Sequence, residues 1–192
     1  MAISDLNSTL MIVDVQLAID DPRWNMHGPR NNASGEVNIA RLLAGWRRAV
    51  RPIIHVRHDS TEPQSSYRPG GPGHPFKPQA MPMPGETVIG KRVNSAFIGT
   101  DLETRLRAAG IRTLVVCGVI TDNSVEATVR TASNLGFDVW LAEDACWTFA
   151  RRDRRGRIWP ASDVHELTLA ILDGEYCRIA TTTEILAAID TL

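Results

Sequence analysis

The chain has 192 residues, 43% of them hydrophobic, with 21 Lys and Arg against 22 Asp and Glu and a formal net charge of -1. That balance gives no electrostatic case for a nucleic-acid or anionic-membrane partner, and no apolar run approaches the length a spanning helix needs. The length suffices for one substantial core, so a single domain over 1–192 is expected, and the absence of signal-peptide features in residues 1–5 points to a cytoplasmic protein.

In chain order, residues 9–15 are a nearly continuous apolar run and read as a strand, and residues 36–50 carry helical spacing. A second apolar run, 52–56, is followed by residues 59–87, which hold seven prolines between Pro63 and Pro84 with Gly70, Gly71, Gly73 and Gly85. Compact domains usually keep so long a loop for function, so it is expected to form a wall of a site or an interface. A short strand ends near Gly90, and a helix is predicted over 101–109. The β-branched run 113–119 then hands over to a helix at 122–135, followed by a strand at 139–142, a helix at 162–172, a strand at 176–180 and a helix at 183–189. Gly110, Gly136 and Gly174 stand where C-cap glycines belong. Runs apolar on both faces, alternating with helices, predict a three-layer α/β/α fold around a central, mainly parallel sheet.

Cys117, Cys146 and Cys177 lie far apart, in or just after predicted strands, and read as buried apolar residues with no disulfide or zinc spacing. Only two of the 21 basic residues are lysines, Lys77 and Lys91. Arginine holds its proton permanently, whereas a buried lysine can shift its pKa, so a lysine placed just after a strand invites a chemical role. The arginine-rich segment 151–157 reads as an exposed connection ahead of a carboxylate clamp.

Asp14, Lys91 and Ser124 each follow a predicted strand, and ligands of open parallel sheets bind beyond the carboxyl ends of the strands, so the three can converge there. Ser124 also sits beneath the free N–H groups of a new helix, which favour negative charge. By itself an aspartate after a strand is as readily a cap or turn former. His55 and His58 would face opposite sides of a continuing strand, so no metal is expected; His58, at the strand's end, is expected at the pocket. His27, His74 and His165 read as structural or surface residues. Trp24, Phe97 and Trp147 are candidate substrate contacts, and Gln16, two residues beyond Asp14, is a candidate for orienting it.

Gly118-Val119-Ile120-Thr121 followed by Asn123-Ser124-Val125-Glu126-Ala127-Thr128-Val129-Arg130 resembles the nucleophile segment of the isochorismatase-like cysteine hydrolases, which include nicotinamidase and N-carbamoylsarcosine, ureidoacrylate and biuret amidohydrolases. Met11-Ile12-Val13-Asp14-Val15-Gln16 and Gly90-Lys91-Arg92-Val93-Asn94-Ser95-Ala96-Phe97 extend the likeness over nearly the whole chain. The resemblance implies that Asp14 is the general base, that Lys91 stabilises negative charge, and that residue 124 attacks the carbonyl. It also implies an oxyanion site at the backbone N–H groups of Ile120 and Ser124, a cis Val119–Ile120 peptide, no cofactor, and a homodimer or homotetramer, for which the tryptophans at 24, 46, 147 and 159 would offer apolar surface. The amidase members carry cysteine where this chain has Ser124.

Three functions follow. The first is a small-molecule amide or ureide hydrolase in which Ser124 is an engineered replacement of the thiol that leaves an inactive form. The second is an isochorismatase-type vinyl-ether hydrolase using Asp14 as acid, without a nucleophile. The third is a catalytically silent binding protein.

Overall fold

A computed structural model describes residues 8–190; the leader-free reading of residues 1–5 falls outside the described residues. The chain order is β1 (Thr9–Val13), α1 (Gly35–Arg48), β2 (Ile53–His58), β3 (Thr87–Lys91), α2 (Leu102–Ala108), β4 (Thr113–Val119), α3 (Glu126–Asn134), β5 (Asp138–Trp147), β6 (Arg151–Arg152), β7 (Ile158–Trp159), α4 (Ala161–Leu172), β8 (Arg178–Ala180) and α5 (Thr182–Asp190). Six strands form one sheet in the order β3-β2-β1-β4-β5-β8, every pair of it parallel. β6 and β7 make a separate antiparallel hairpin. Helices α1 and α5 pack together against one face and α3 with α4 against the other, as right-handed crossovers require when the chain runs from β1 towards one edge and later from β4 towards the other. The fold is therefore the α/β three-layer arrangement that the alternating runs imply.

This topology fixes where a site can be. After β1 the chain leaves through β2 and β3 and returns to lay β4 beside β1, so the crossovers diverge between those two strands and open a crevice at their carboxyl ends. β1 and β4 are wholly buried, which is why both read as nearly continuous apolar runs.

Several boundaries differ from the sequence reading for local reasons. The first strand stops at Val13 because Asp14 has φ 57, a left-handed conformation that an aspartate tolerates better than a branched residue. The fifth strand runs on to Trp147, and its register against β4 shifts between Val116 and Gly118. That irregularity frees carbonyls, and one asparagine just before α1 and one in its first turn take them up: Asn32 Nδ2 donates to Glu143 O and Cys146 O, and Asn38 Nδ2 to Asp144 O. The predicted helix at 122–135 begins as a wide turn, Thr121–Val125, and becomes α-helical only at Glu126. Of the tryptophans expected at the surface, Trp46 and Trp147 are completely buried, so they offer nothing for a partner to cover.

Gly118 carries φ 123, and a Cβ there would run into the carbonyl oxygen of Val13 on β1. Only glycine lets the two strands flanking the crevice approach so closely. At the opposite end of the sheet, Glu86 gathers three elements: its carboxylate accepts from Arg47 Nε of α1 at 2.7 Å, lies 2.8 Å from His55 Nε2 of β2, and accepts from Met83 N–H at 2.8 Å. Partial burial pushes the Glu86 carboxyl up, but Arg47, the Met83 N–H and His55 outweigh it and hold the pKa at about 2.

Two outcomes follow for stability. Gly118→Ala should cost about 3 kcal/mol or more in urea unfolding, since overpacking and a disfavoured φ add. Glu86→Gln should cost about 1–2 kcal/mol at pH 7. Because the folded pKa of Glu86 lies below its ordinary value, its contribution is complete above pH 4.5 and fades as pH falls towards 2, so the gap between the urea midpoints of wild type and variant should close over that window.

Candidate active site

The crevice at the carboxyl edge brings Asp14, Lys91 and Ser124 together. Lys91 ends β3, two strands from β1, and its fully buried side chain passes the end of β2 to reach them. Its Nζ donates to Asp14 Oδ2 at 2.6 Å and to Ser124 Oγ at 3.3 Å, with Val93 O at 3.1 Å and His58 Nδ1 at 3.4 Å as further acceptors. Four acceptors for three N–H bonds leave the ammonium fully engaged. Asp14 is 4% exposed, and its Oδ1 is buried without a partner. Burial pushes the carboxyl of Asp14 above the ordinary carboxylate range, and the charge and hydrogen bond of Lys91, with help from the Ser124 hydroxyl, pull it back only in part.

Ser124 lies in the wide turn after β4. The peptide joining Val119 and Ile120 is cis. Ile120 O accepts from the N–H groups of Asn123 at 3.0 Å and Val125 at 3.3 Å, so the chain wraps about this one carbonyl. Neighbouring elements pin the turn from behind. Asp122 accepts from Thr148 Oγ1 and, at 2.8 Å, from Arg151 Nε, while Thr121 Oγ1 pairs with the buried His165 ring at 3.0 Å.

A cavity of about 120 Å³ opens above these groups. Asp14, Val119, Ile120 and Ser124 form its floor; Trp24, His58 and Tyr67 form an aromatic wall, with Ser65, Asn94 and Asn123 completing the rim. Trp24 stacks on Phe149 with centroids 5.9 Å apart and meets Tyr67 edge-on at 6.4 Å. It is small beside the roughly 300–1,000 Å³ of most ligand pockets, and Asp14 is its only acidic or basic lining residue apart from His58. Burial and the nearby Lys91 charge lower His58 to about 4, which leaves it neutral at physiological pH.

The other sequence candidates lie elsewhere. Gln16 is fully buried and does not touch the Asp14 carboxylate: its amide closes on the backbone of His58 and His74, because the left-handed Asp14 turns the chain out of the strand and takes Gln16 off the Asp14 face. Phe97 packs on Phe137 with centroids 5.8 Å apart, and Trp147 lies in the core beneath Arg30 at 4.6 Å; neither lines the cavity. His55 faces away, towards Glu86, as strand alternation requires. Arg151–Arg157 is a hairpin in which the Arg151 guanidinium pairs with Asp122, the Arg157 guanidinium lies over the Trp159 ring, and Asp153 accepts the backbone N–H groups of Arg155 and Arg157; none of these arginines lines the cavity. The three cysteines are buried, and burial pushes each thiol up, Cys177 to about 12, so none supplies a thiolate. Among the described residues no group of three or more His, Cys, Asp and Glu is placed to hold a metal, and no helix is long and apolar enough to cross a membrane.

Sequence reasoning missed Ser65, Tyr67, Asn94 and Asn123. A signal for Tyr67 existed: it is one of two tyrosines in the chain and falls within the Pro-rich loop already expected to wall a site. Lys77 explains how that loop holds its place, its Nζ meeting Asp20 at 2.6 Å and Glu36 at 2.5 Å.

A family model for the isochorismatase domain matches residues 8–167. The isochorismatase family protein YrdC of Bacillus subtilis is 40% identical over 177 residues, 92% of this chain and 93% of its own. A crystal structure of an isochorismatase-family protein from Chromobacterium violaceum superimposes with a TM-score of 0.95 at 55% identity, covering 100% of this chain and 98% of the other. The ureidoacrylate amidohydrolase RutB of Variovorax paradoxus is 28% identical over 183 residues, 76% of this chain and 70% of its own. The chain belongs to the isochorismatase family of hydrolases.

Proposed function

We propose that this isochorismatase-family hydrolase acts on the C–N bond of a small, uncharged amide or ureide, with Asp14 and Lys91 serving attack from position 124. One observation carries the reading: the Lys91 ammonium bridges Asp14 Oδ2 and Ser124 Oγ in a buried crevice lined, Asp14 apart, by groups without charge. On this reading Asp14 takes the proton of the nucleophile at 124 as the new bond forms to the substrate carbonyl. The carbonyl oxygen becomes an oxyanion, held by the N–H groups of Ile120 and Ser124. Asp14 then returns the proton to the leaving nitrogen as the C–N bond breaks, and water activated by the same carboxylate releases the acid. A ureidoacrylate amidohydrolase among the relatives supports the choice of bond. A thiol, with its ordinary pKa near 8.5, suits an aspartate base far better than the hydroxyl that stands here.

The vinyl-ether reading keeps one observation in its favour. Asp14 has its pKa raised by burial and an Oδ1 with no partner, as a carboxylic acid that donates a proton would. Against it, the cavity has no arginine or lysine among its lining residues to receive a carboxylated ring.

The experiment is ammonia release from a panel of small amides and ureides. Ser124→Cys should raise kcat by several orders of magnitude with little change in substrate affinity, and adding Asp14→Asn should abolish the gain. Equal activity of the serine and cysteine forms would shift the weight to acid catalysis by Asp14, and no hydrolysis by Ser124→Cys to a binding role. In that variant, activity should fall as pH drops through the raised pKa of Asp14, so the acid limb of kcat/KM should lie above the ordinary aspartate value near 4. A limb at or below 4 would remove Asp14 from the base role.

A further inference from the structure

His58 is a fixed part of the cavity wall whose polar edge is not used within the protein. Its ring nitrogen Nδ1 lies 3.4 Å from Lys91 Nζ. An ammonium has only protons to offer, so Nδ1 meets it with its lone pair, and the proton of the neutral ring then belongs on Nε2. Nε2 has no partner among the described residues, is not among their buried unpaired atoms, and belongs to a ring that lines the cavity. The ring is held from two further sides. Gln16, itself fully buried, accepts the His58 N–H at 2.7 Å and donates to His58 O at 3.2 Å, which fixes the backbone that carries the ring. Tyr67 packs edge-on against it, centroids 5.6 Å apart, and is anchored by its hydroxyl on Asp14 O at 3.3 Å. Burial and the Lys91 charge keep the ring neutral.

We infer that His58 is a specificity-determining residue, a preset Nε2–H donor that selects substrates carrying a second, uncharged hydrogen-bond acceptor a few bonds from the scissile carbonyl, as in an N-acylurea. The distance follows from the shared partner, since the His58 ring and the Ser124 hydroxyl both lie against the Lys91 ammonium. That selection by a second acceptor bears on a scissile bond rests on the hydrolase function proposed above. The donor itself rests on the Lys91 contact and the neutral ring, and stands without that reading. A charged acceptor is disfavoured beside the Asp14 carboxylate on the same floor, and an apolar group in its place would leave a donor without a partner. Gln16 acts through His58 and is a positioning residue.

Two measurements test this. A long-range proton–nitrogen correlation of the imidazole in the wild-type chain should show Nε2 protonated and Nδ1 bare at neutral pH; an Nδ1–H tautomer or an imidazolium would overturn the inference. Calorimetric titration with N-acetylurea and N-ethylurea, which differ by one carbonyl, should favour the acetyl compound by roughly tenfold. His58→Phe should abolish that preference, and His58→Gln, which keeps a terminal N–H, should restore part of it. Equal affinity for the two probes, including none measurable for either, or a preference that survives His58→Phe, would sink the inference. Should Ser124→Cys hydrolyse neither probe nor any other amide while the binding preference stands, the hydrolase reading fails and the donor assignment remains.

Discussion

The site is organised around one buried ion pair, Lys91 with Asp14. Taking both charges out of water costs several kcal/mol for each, and their attraction makes this good only where the remaining hydrogen-bonding capacity is met. Lys91 meets that condition, its three protons divided among a carboxylate, a carbonyl, a hydroxyl and an imidazole. Asp14 meets it only by half, with Oδ1 unpartnered. The imbalance identifies where free energy has been left in the molecule for chemistry. It also couples the site to the fold, because a side chain from the edge strand β3 completes a pair begun on β1, and loss of either partner would strand a charge at a cost of about 3–5 kcal/mol.

Much of this was legible beforehand because both signals are local. Strands covered on two faces write themselves as β-branched runs, and β4, buried over its whole length, is recoverable to the residue. The placement of Asp14, Lys91 and Ser124 was readable for a related reason: Asp14 directly follows a strand, Lys91 ends one and Ser124 lies in the turn after a third, and parallel topology sends every such end to one edge. A motif spread over 110 residues thus became a site through three short-range observations.

What stayed hidden depends on side-chain direction and on loops. Gln16 looked like a neighbour of Asp14 because two residues share a strand face, yet the left-handed Asp14 had already ended the strand. Phe97 and Trp147 lie in segments that border the crevice and still point into the core; hydrophobicity alone does not separate a ring that lines a cavity from one that fills space beneath it. The irregular β5 is a further case. Nothing periodic in its sequence announces the shift against β4, whose stability rests on two asparagines more than a hundred residues upstream. Tyr67 and Ser65 come from a loop without repeat, held by Lys77 and by the Gln16 amide on His74 O, and neither contact has a sequence signature.

The two lysines carry a practical consequence. Both are less than 10% exposed and both are engaged with carboxylates, while every other basic side chain of Lys or Arg type is a guanidinium. In its folded form the chain holds both side-chain primary amines in ion pairs, Lys91 fully buried and Lys77 at the edge of an open cleft against Asp20 and Glu36. Amine-selective acylating reagents would find both amines tied to carboxylates, and would react freely only once the loop held by Lys77 or the crevice closed by Lys91 comes apart. Lysine acylation by such a reagent therefore becomes a clock for local opening, with two hands set at different places in the structure: one where Lys77 pairs with Asp20 and Glu36, the other where Lys91 pairs with Asp14.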